Sequence, residues 1–132
     1  MRPKWAFQLL PSTPGVLGKG FLVDSNTQAI EDEVNALLQY KFGFHGISKL
    51  VIRLGPKDGE MDYHEGFGVA YKHYPKFDIV AYKSLHPEDR VQVMRKIILE
   101  VFNWLILSFT DAQCFEKTIQ RLGWENSNLK SG

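Results

Sequence analysis

The sequence predicts an α+β fold, an antiparallel sheet of three to five strands with helices packed on one face, in the order (ββ)αβββαα. Three observations carry that expectation. Residues 30–41 and 91–105 repeat apolar side chains at helical spacing. Segments 47–54, 66–74 and 77–83 between them alternate with period two. Tyr74-Pro75-Lys76 leaves so little chain between the last two of these that they are expected to pair as an antiparallel hairpin.

In order along the chain, Trp5–Leu10 and Phe21–Val23 read as short strands around a Pro/Gly-rich segment, 11–20, expected to be a flexible loop. Ser25 and Gln28 have the spacing of a capping box, in which each side chain serves a backbone N–H at the helix start. Ile30, Val34, Leu37, Leu38 and Lys41 then recur on one side, opposite Glu31, Asp32, Asn35 and Gln39, and Gly43 suits the stop. In the first strand after this helix, Leu50, Ile52 and Leu54 share a face against Lys49, Val51 and Arg53. The next two group Phe67, Val69 and Tyr71, then Phe77, Ile79 and Ala81.

Pro87 suits the first position of a long helix, and Glu88 and Asp89 suit its positive end. Val91, Met94, Ile98, Val101 and Leu105 form the stripe, and from Ile97 onward the helix is apolar nearly all round, which implies burial on several sides. Thr110 and Gln113 repeat the capping-box spacing before a last helix faced by Phe115, Ile119 and Leu122. Gly123 ends it, with Trp124 packing back, and residues 125–132 read as a polar tail. Neither loose segment separates two cores, so residues 1–132 are expected to be a single domain.

Composition narrows the function classes. At 132 residues, with 44% hydrophobic and 13% aromatic side chains, the chain can bury a core without disulfides or a structural metal. A net charge of +1 supplies no global field toward phosphate backbones or acidic membranes, so neither nucleic acid nor membrane is an expected partner. The single cysteine, Cys114, points to a reducing, cytoplasmic setting, and the first residues do not read as a signal peptide. The apolar run Ile97–Phe109 is broken by Glu100, Asn103 and Ser108 and falls short of the roughly 20 residues a membrane span needs.

Chemical motifs are sparse. Gly15-Val16-Leu17-Gly18-Lys19-Gly20 lacks both the spacing and the hydroxyl of a phosphate loop, and Gly66-Phe67-Gly68 lacks the third glycine of a dinucleotide site. His64-Glu65 lacks the second histidine of a zinc-protease helix, and His45, His64, His73 and His86 show no ligand spacing, so no metal and no cofactor is implied. Cys114 sits near a helix start, where a thiol can be activated, yet beside Phe115 it reads as a small core residue.

One segment differs from its surroundings. Between the first two clear strands, Asp58, Glu60, Asp62 and Glu65 stand against a single Lys57, with Met61 and Tyr63 interleaved. A solvated hairpin loop would have this composition. So would a contact loop for a protein partner with a basic surface, its carboxylates giving complementarity and Met61 and Tyr63 giving area. Glu100 and Asn103, with Trp104 in the apolar helix, mark either its wet edge, a small-ligand pocket between the sheet and helix 87–109, or a homodimer seam.

Lys41-Phe42-Gly43-Phe44 leading into Ser48–Leu54, and Lys76-Phe77-Asp78-Ile79 leading after a break into Arg95–Glu100, resemble small bacterial immunity proteins of polymorphic toxin systems. The likeness spans residues 41–109, is one of pattern, and transfers no binding residue. It implies a non-enzymatic, cytoplasmic protein that neutralises a cognate toxin by binding it. The missing catalytic motifs and the charged, aromatic loop carry the expected function, a protein-binding module contacting its partner through Asp58, Glu60, Met61, Asp62, Tyr63 and Glu65. The alternatives are a small-ligand protein or enzyme using Glu100, Asn103 and Trp104, and a homodimeric structural protein.

Overall fold

The computed structural model of the chain describes residues 7–11, 25–38, 46–56 and 61–124. Its elements are β1 (Phe7–Pro11), α1 (Ser25–Leu38), β2 (Lys49–Leu54), β3 (Tyr63–Gly66), β4 (Val69–Tyr74), α2 (Ile79–Lys83), α3 (Pro87–Ser108) and α4 (Cys114–Leu122). The expected α+β class stands, but the sheet is mixed rather than antiparallel, in the order β1-β2-β4-β3. β1, β2 and β4 run parallel, and only β3 is antiparallel, to β4. A helix separates β1 from β2 and a whole strand separates β2 from β4, so in both cases the chain has room to return to the starting edge and run in the same direction. The expected strand Phe21–Val23, most of the loop 11–20 and the tail 125–132 lie outside the described residues.

Two expected strands are corrected. Residues 66–74 are not one strand, because Phe67 and Gly68 form a two-residue turn with φ of 54° and 78°. Positive φ at both centres is the pattern of a type I′ turn, whose twist matches that of the strands it joins. The hairpin is therefore β3–β4, with Gly66 opposite Val69 and Tyr63 opposite Lys72. The second correction is Phe77–Lys83. Asp78 accepts a hydrogen bond from the Ala81 N–H (3.1 Å) and caps α2 in its place. Tyr82 is then buried with its hydroxyl 2.9 Å from Thr27 Oγ1, tying α2 to α1.

The core lies between the sheet and α1, α3 and α4. Phe7, Leu9, Leu50, Ile52, Leu54 and Ala70, all essentially inaccessible, form the covered face of the sheet. Phe102 of α3 meets Phe7 edge-on (5.9 Å between centroids) and Phe115 of α4 at 4.9 Å, linking the sheet to both helices. Such ring pairs add about 0.5–1.5 kcal/mol beyond their buried area. Met94, Ile98, Val101 and Leu105 of the expected α3 stripe are buried, as are Ile97, Leu99 and Phe102, so the helix is covered on several sides, whereas Val91 is half-buried and Leu107 is exposed.

α1 also seals one edge of the sheet. β1 turns the N–H groups of Phe7 and Leu9 away from β2, and they donate to Asn35 Oδ1 (2.9 Å) and Glu31 Oε2 (2.8 Å). Asn35 returns a hydrogen bond to the Phe7 carbonyl (2.9 Å). The polar side of α1 thus serves the strand edge as well as solvent. Gln28, placed in a capping box by its spacing, directs its amide N–H groups down the helix to Glu31 and Asp32. The box expected at Thr110 and Gln113 does not form: α4 begins at Cys114, and Gln113 caps it without a side-chain hydrogen bond. Gly123, in the left-handed region (φ 73°), ends α4 by donating to the Ile119 carbonyl.

Candidate functional site

The acidic segment is tied down at both ends by the last residues of β4. The Gly55 N–H donates to the Tyr74 carbonyl (3.1 Å), and the Asp62 carbonyl accepts from the His73 N–H (2.9 Å). Asp58 and Glu60 lie outside the described residues. Met61 and Asp62 project outward, with Met61 65% exposed. Tyr63 does not supply outward contact area, because it opens β3 with its ring turned to the helices. It packs on Trp104 (5.3 Å) and Phe109 (5.4 Å). Its hydroxyl donates to Glu65 (2.6 Å), and burial together with that carboxylate pushes the Tyr63 pKa well up.

The faces of β4 are inverted relative to the simple alternation. Ala70, Lys72 and Tyr74, not Val69 and Tyr71, lie on the face of Leu50, Ile52 and Leu54. Val69 and Tyr71 do share a face, but it is the one opposite the helices, and the covered face falls to a small, a charged and an amphipathic residue. A lysine on the helix-covered face requires compensation. Lys72 Nζ lies 3.1 Å from both Asp62 oxygens, 3.0 Å from the His73 carbonyl and 4.8 Å from the Trp104 ring centroid. The acidic segment's last aspartate is thus the counter-charge of a side chain that is only 10% exposed.

Beside this pair opens a groove of about 300 Å³ between the end of β4 and the middle of α3. Asp62, Lys72, Tyr74, Lys76, Glu100 and Trp104 line it. The Tyr74 hydroxyl donates to Glu100 Oε1 (2.7 Å), and burial followed by that hydrogen bond pushes its pKa up to about 12. Lys76 Nζ stands 5.6 Å from the Tyr74 ring centroid. Two candidate sites that are separate in sequence therefore meet here, with Asp62 from one and Glu100 and Trp104 from the other. Asn103 is exposed and does not line the groove.

Neither a family model nor a curated protein nor a solved structure matches this chain, so the likeness to immunity proteins rests on the sequence pattern alone.

On the other face of the sheet His64 stacks on Tyr71 (4.8 Å between centroids) and lies 5.5 Å from His73, while the Arg53 guanidinium sits 5.9 Å from the centre of the Tyr71 ring. Histidines that look scattered in sequence are thus brought together in one pair by the β3–β4 register. Among the described residues no group of three or more His, Cys, Asp or Glu could hold a metal ion, and no helix is long and apolar enough to cross a membrane.

The residue that alternation misses most completely is Phe67. It occupies the tip of the β3–β4 hairpin and is fully exposed. The tip itself is held in place, since the Gly68 carbonyl accepts from the Ser48 N–H (2.8 Å). The signal for it is the Phe67-Gly68 pair, with glycine at the second turn position and phenylalanine where Asn or Asp is favoured.

Proposed function

We propose that this chain is a non-catalytic protein-binding module that meets a basic partner through the β3–β4 hairpin and the acidic segment before it. The observation that carries this reading is Phe67. A bulky side chain at positive φ costs of order 1–3 kcal/mol, and such strain clusters at functional positions. Here a fully exposed aromatic ring gives nothing back to the fold. Contact with another molecule gives the ring a role, because aromatic side chains are enriched at the centres of protein interfaces. Met61 adds a second exposed apolar side chain at the other end of β3, Asp62 and Glu65 are exposed close by, and Asp58 and Glu60 precede them in sequence. An immunity-type inhibitor of a bacterial toxin is the specific form that the sequence likeness suggests.

Affinity capture from native lysate with wild type, Phe67→Asn and the double reversal Asp58→Lys/Glu60→Lys tests the reading. A protein recovered in stoichiometric amount by wild type and lost by both variants is the expected result. Equal recovery by all three removes the hairpin and its acidic segment as the contact surface. Asp62 is best left out of the reversal, because changing it would strip Lys72 of its partner and confuse folding with binding.

A further inference from the structure

The groove between β4 and α3 has its hydrogen bonding spent in one direction. Lys72 has three N–H groups, and its nitrogen has three acceptors at 3.0–3.1 Å, both Asp62 oxygens and the His73 carbonyl. Tyr74 commits its hydroxyl proton to Glu100. Among the described residues, both Glu100 oxygens, Asp62 and the Tyr74 hydroxyl keep lone pairs that stay as acceptors along the opening. Both aromatic walls already accept cations, Trp104 from Lys72 at 4.8 Å and Tyr74 from Lys76 at 5.6 Å. At about 300 Å³ the groove lies at the bottom of the small-ligand range and suits one long side chain. It also adjoins the acidic segment, whose last aspartate, Asp62, is part of its lining.

We propose that the groove receives the guanidinium of an arginine from the basic protein partner, an inference that rests on the protein-binding reading above. A guanidinium fits better than an ammonium. It is planar, offers five donors in a fork that can engage Glu100 bidentately, and stacks on rings such as Tyr74 and Trp104. Lys76, whose Nζ stands 5.6 Å from the Tyr74 ring centroid, is the resident competitor for that place. Removing its charge therefore strengthens a cationic ligand, whereas in an anion site the same change would weaken binding.

The test follows the indole N–H signal of Trp104 by NMR while the intact protein is titrated with N-acetyl-arginine methylamide. The neutral citrulline analogue and the lysine analogue serve as controls. The expected result is saturable displacement in the millimolar range by the arginine compound. The lysine compound binds more weakly and the citrulline compound does not bind. Glu100→Gln weakens the arginine compound about fivefold, and Lys76→Gln tightens it about twofold, with the rest of the spectrum confirming the fold. Equal displacement by the citrulline analogue, no displacement, or weakening by Lys76→Gln would overturn the proposal. So would an arginine response whose loss in Glu100→Gln leaves affinity for the captured partner unchanged, since the groove would then be a small-ligand site. Failure of the underlying reading is seen separately, as partner affinity that Phe67→Asn does not alter.

Discussion

Lys72 and Asp62 show how one residue can set the logic of a neighbourhood. An ammonium on the helix-covered face of the sheet is tolerated because a carboxylate, a carbonyl and the Trp104 ring surround it. Asp62 remains 64% exposed, so its pairing is partly screened by solvent. Asp62→Ala is expected to cost about 1 kcal/mol in urea unfolding, well below the cost of breaking a fully buried pair. Asp62→Asn, which keeps one acceptor, should cost less. Glu31 presents a different case. Its burial, offset only in part by the Leu9 N–H and the Gln28 amide, raises its pKa above the ordinary 4.5. As pH rises from that value toward the raised one, the unfolded chain loses this proton before the folded chain does. The folded state then binds more protons, and stability declines with pH across the window. Glu31→Gln removes that slope while its amide oxygen can still accept from Leu9. Its stability relative to wild type should therefore grow through the window and level off above it, as measured by thermal unfolding at a series of pH values.

At the scale of elements the two edges of the sheet are treated differently. β1 is closed by Asn35 and Glu31 of α1, which occupy its outward backbone groups. The β3 edge belongs to a hairpin whose tip is Phe67 and whose approach is acidic, and the proposed contact surface lies there. Much of this was legible in the sequence. The spacing of apolar residues locates α1, α3 and α4, and alternation locates β2, whose shared face of Leu50, Ile52 and Leu54 is the one the helices cover. What alternation does not resolve is where β4 begins and which of its faces the helices cover. A Phe-Gly turn does not advertise itself as Asn-Gly would, so the sequence reads the residues of β3 as part of the acidic loop and takes the turn into a strand 66–74. α2 was hidden for a related reason. Over the few residues of Phe77–Lys83, alternation and helical spacing are hard to distinguish, and the deciding signal is the capping side chain of Asp78.

At the scale of the whole molecule, the fold gathers residues far apart in sequence at the end of β4. Asp62, Lys72, Tyr74, Glu100 and Trp104 line one groove only because β3 pairs outside β4 and α3 crosses above it. No local pattern carries that information, since it depends on a mixed strand order that the connection lengths permit but do not dictate. The same topology places Phe67 at the far end of the hairpin from Asp62, so the proposed surface extends along the whole of β3. The measurement that bears most directly on this account pairs the folding free energy of Phe67→Asn with its affinity for the captured partner. Asn-Gly suits a type I′ turn, and no packing is lost from a fully exposed ring. Phe67→Asn is expected to be about 1 kcal/mol more stable than wild type, with partner affinity reduced at least about tenfold, as for a central aromatic contact. A variant that gains stability and binds its partner as tightly as wild type would contradict this expectation.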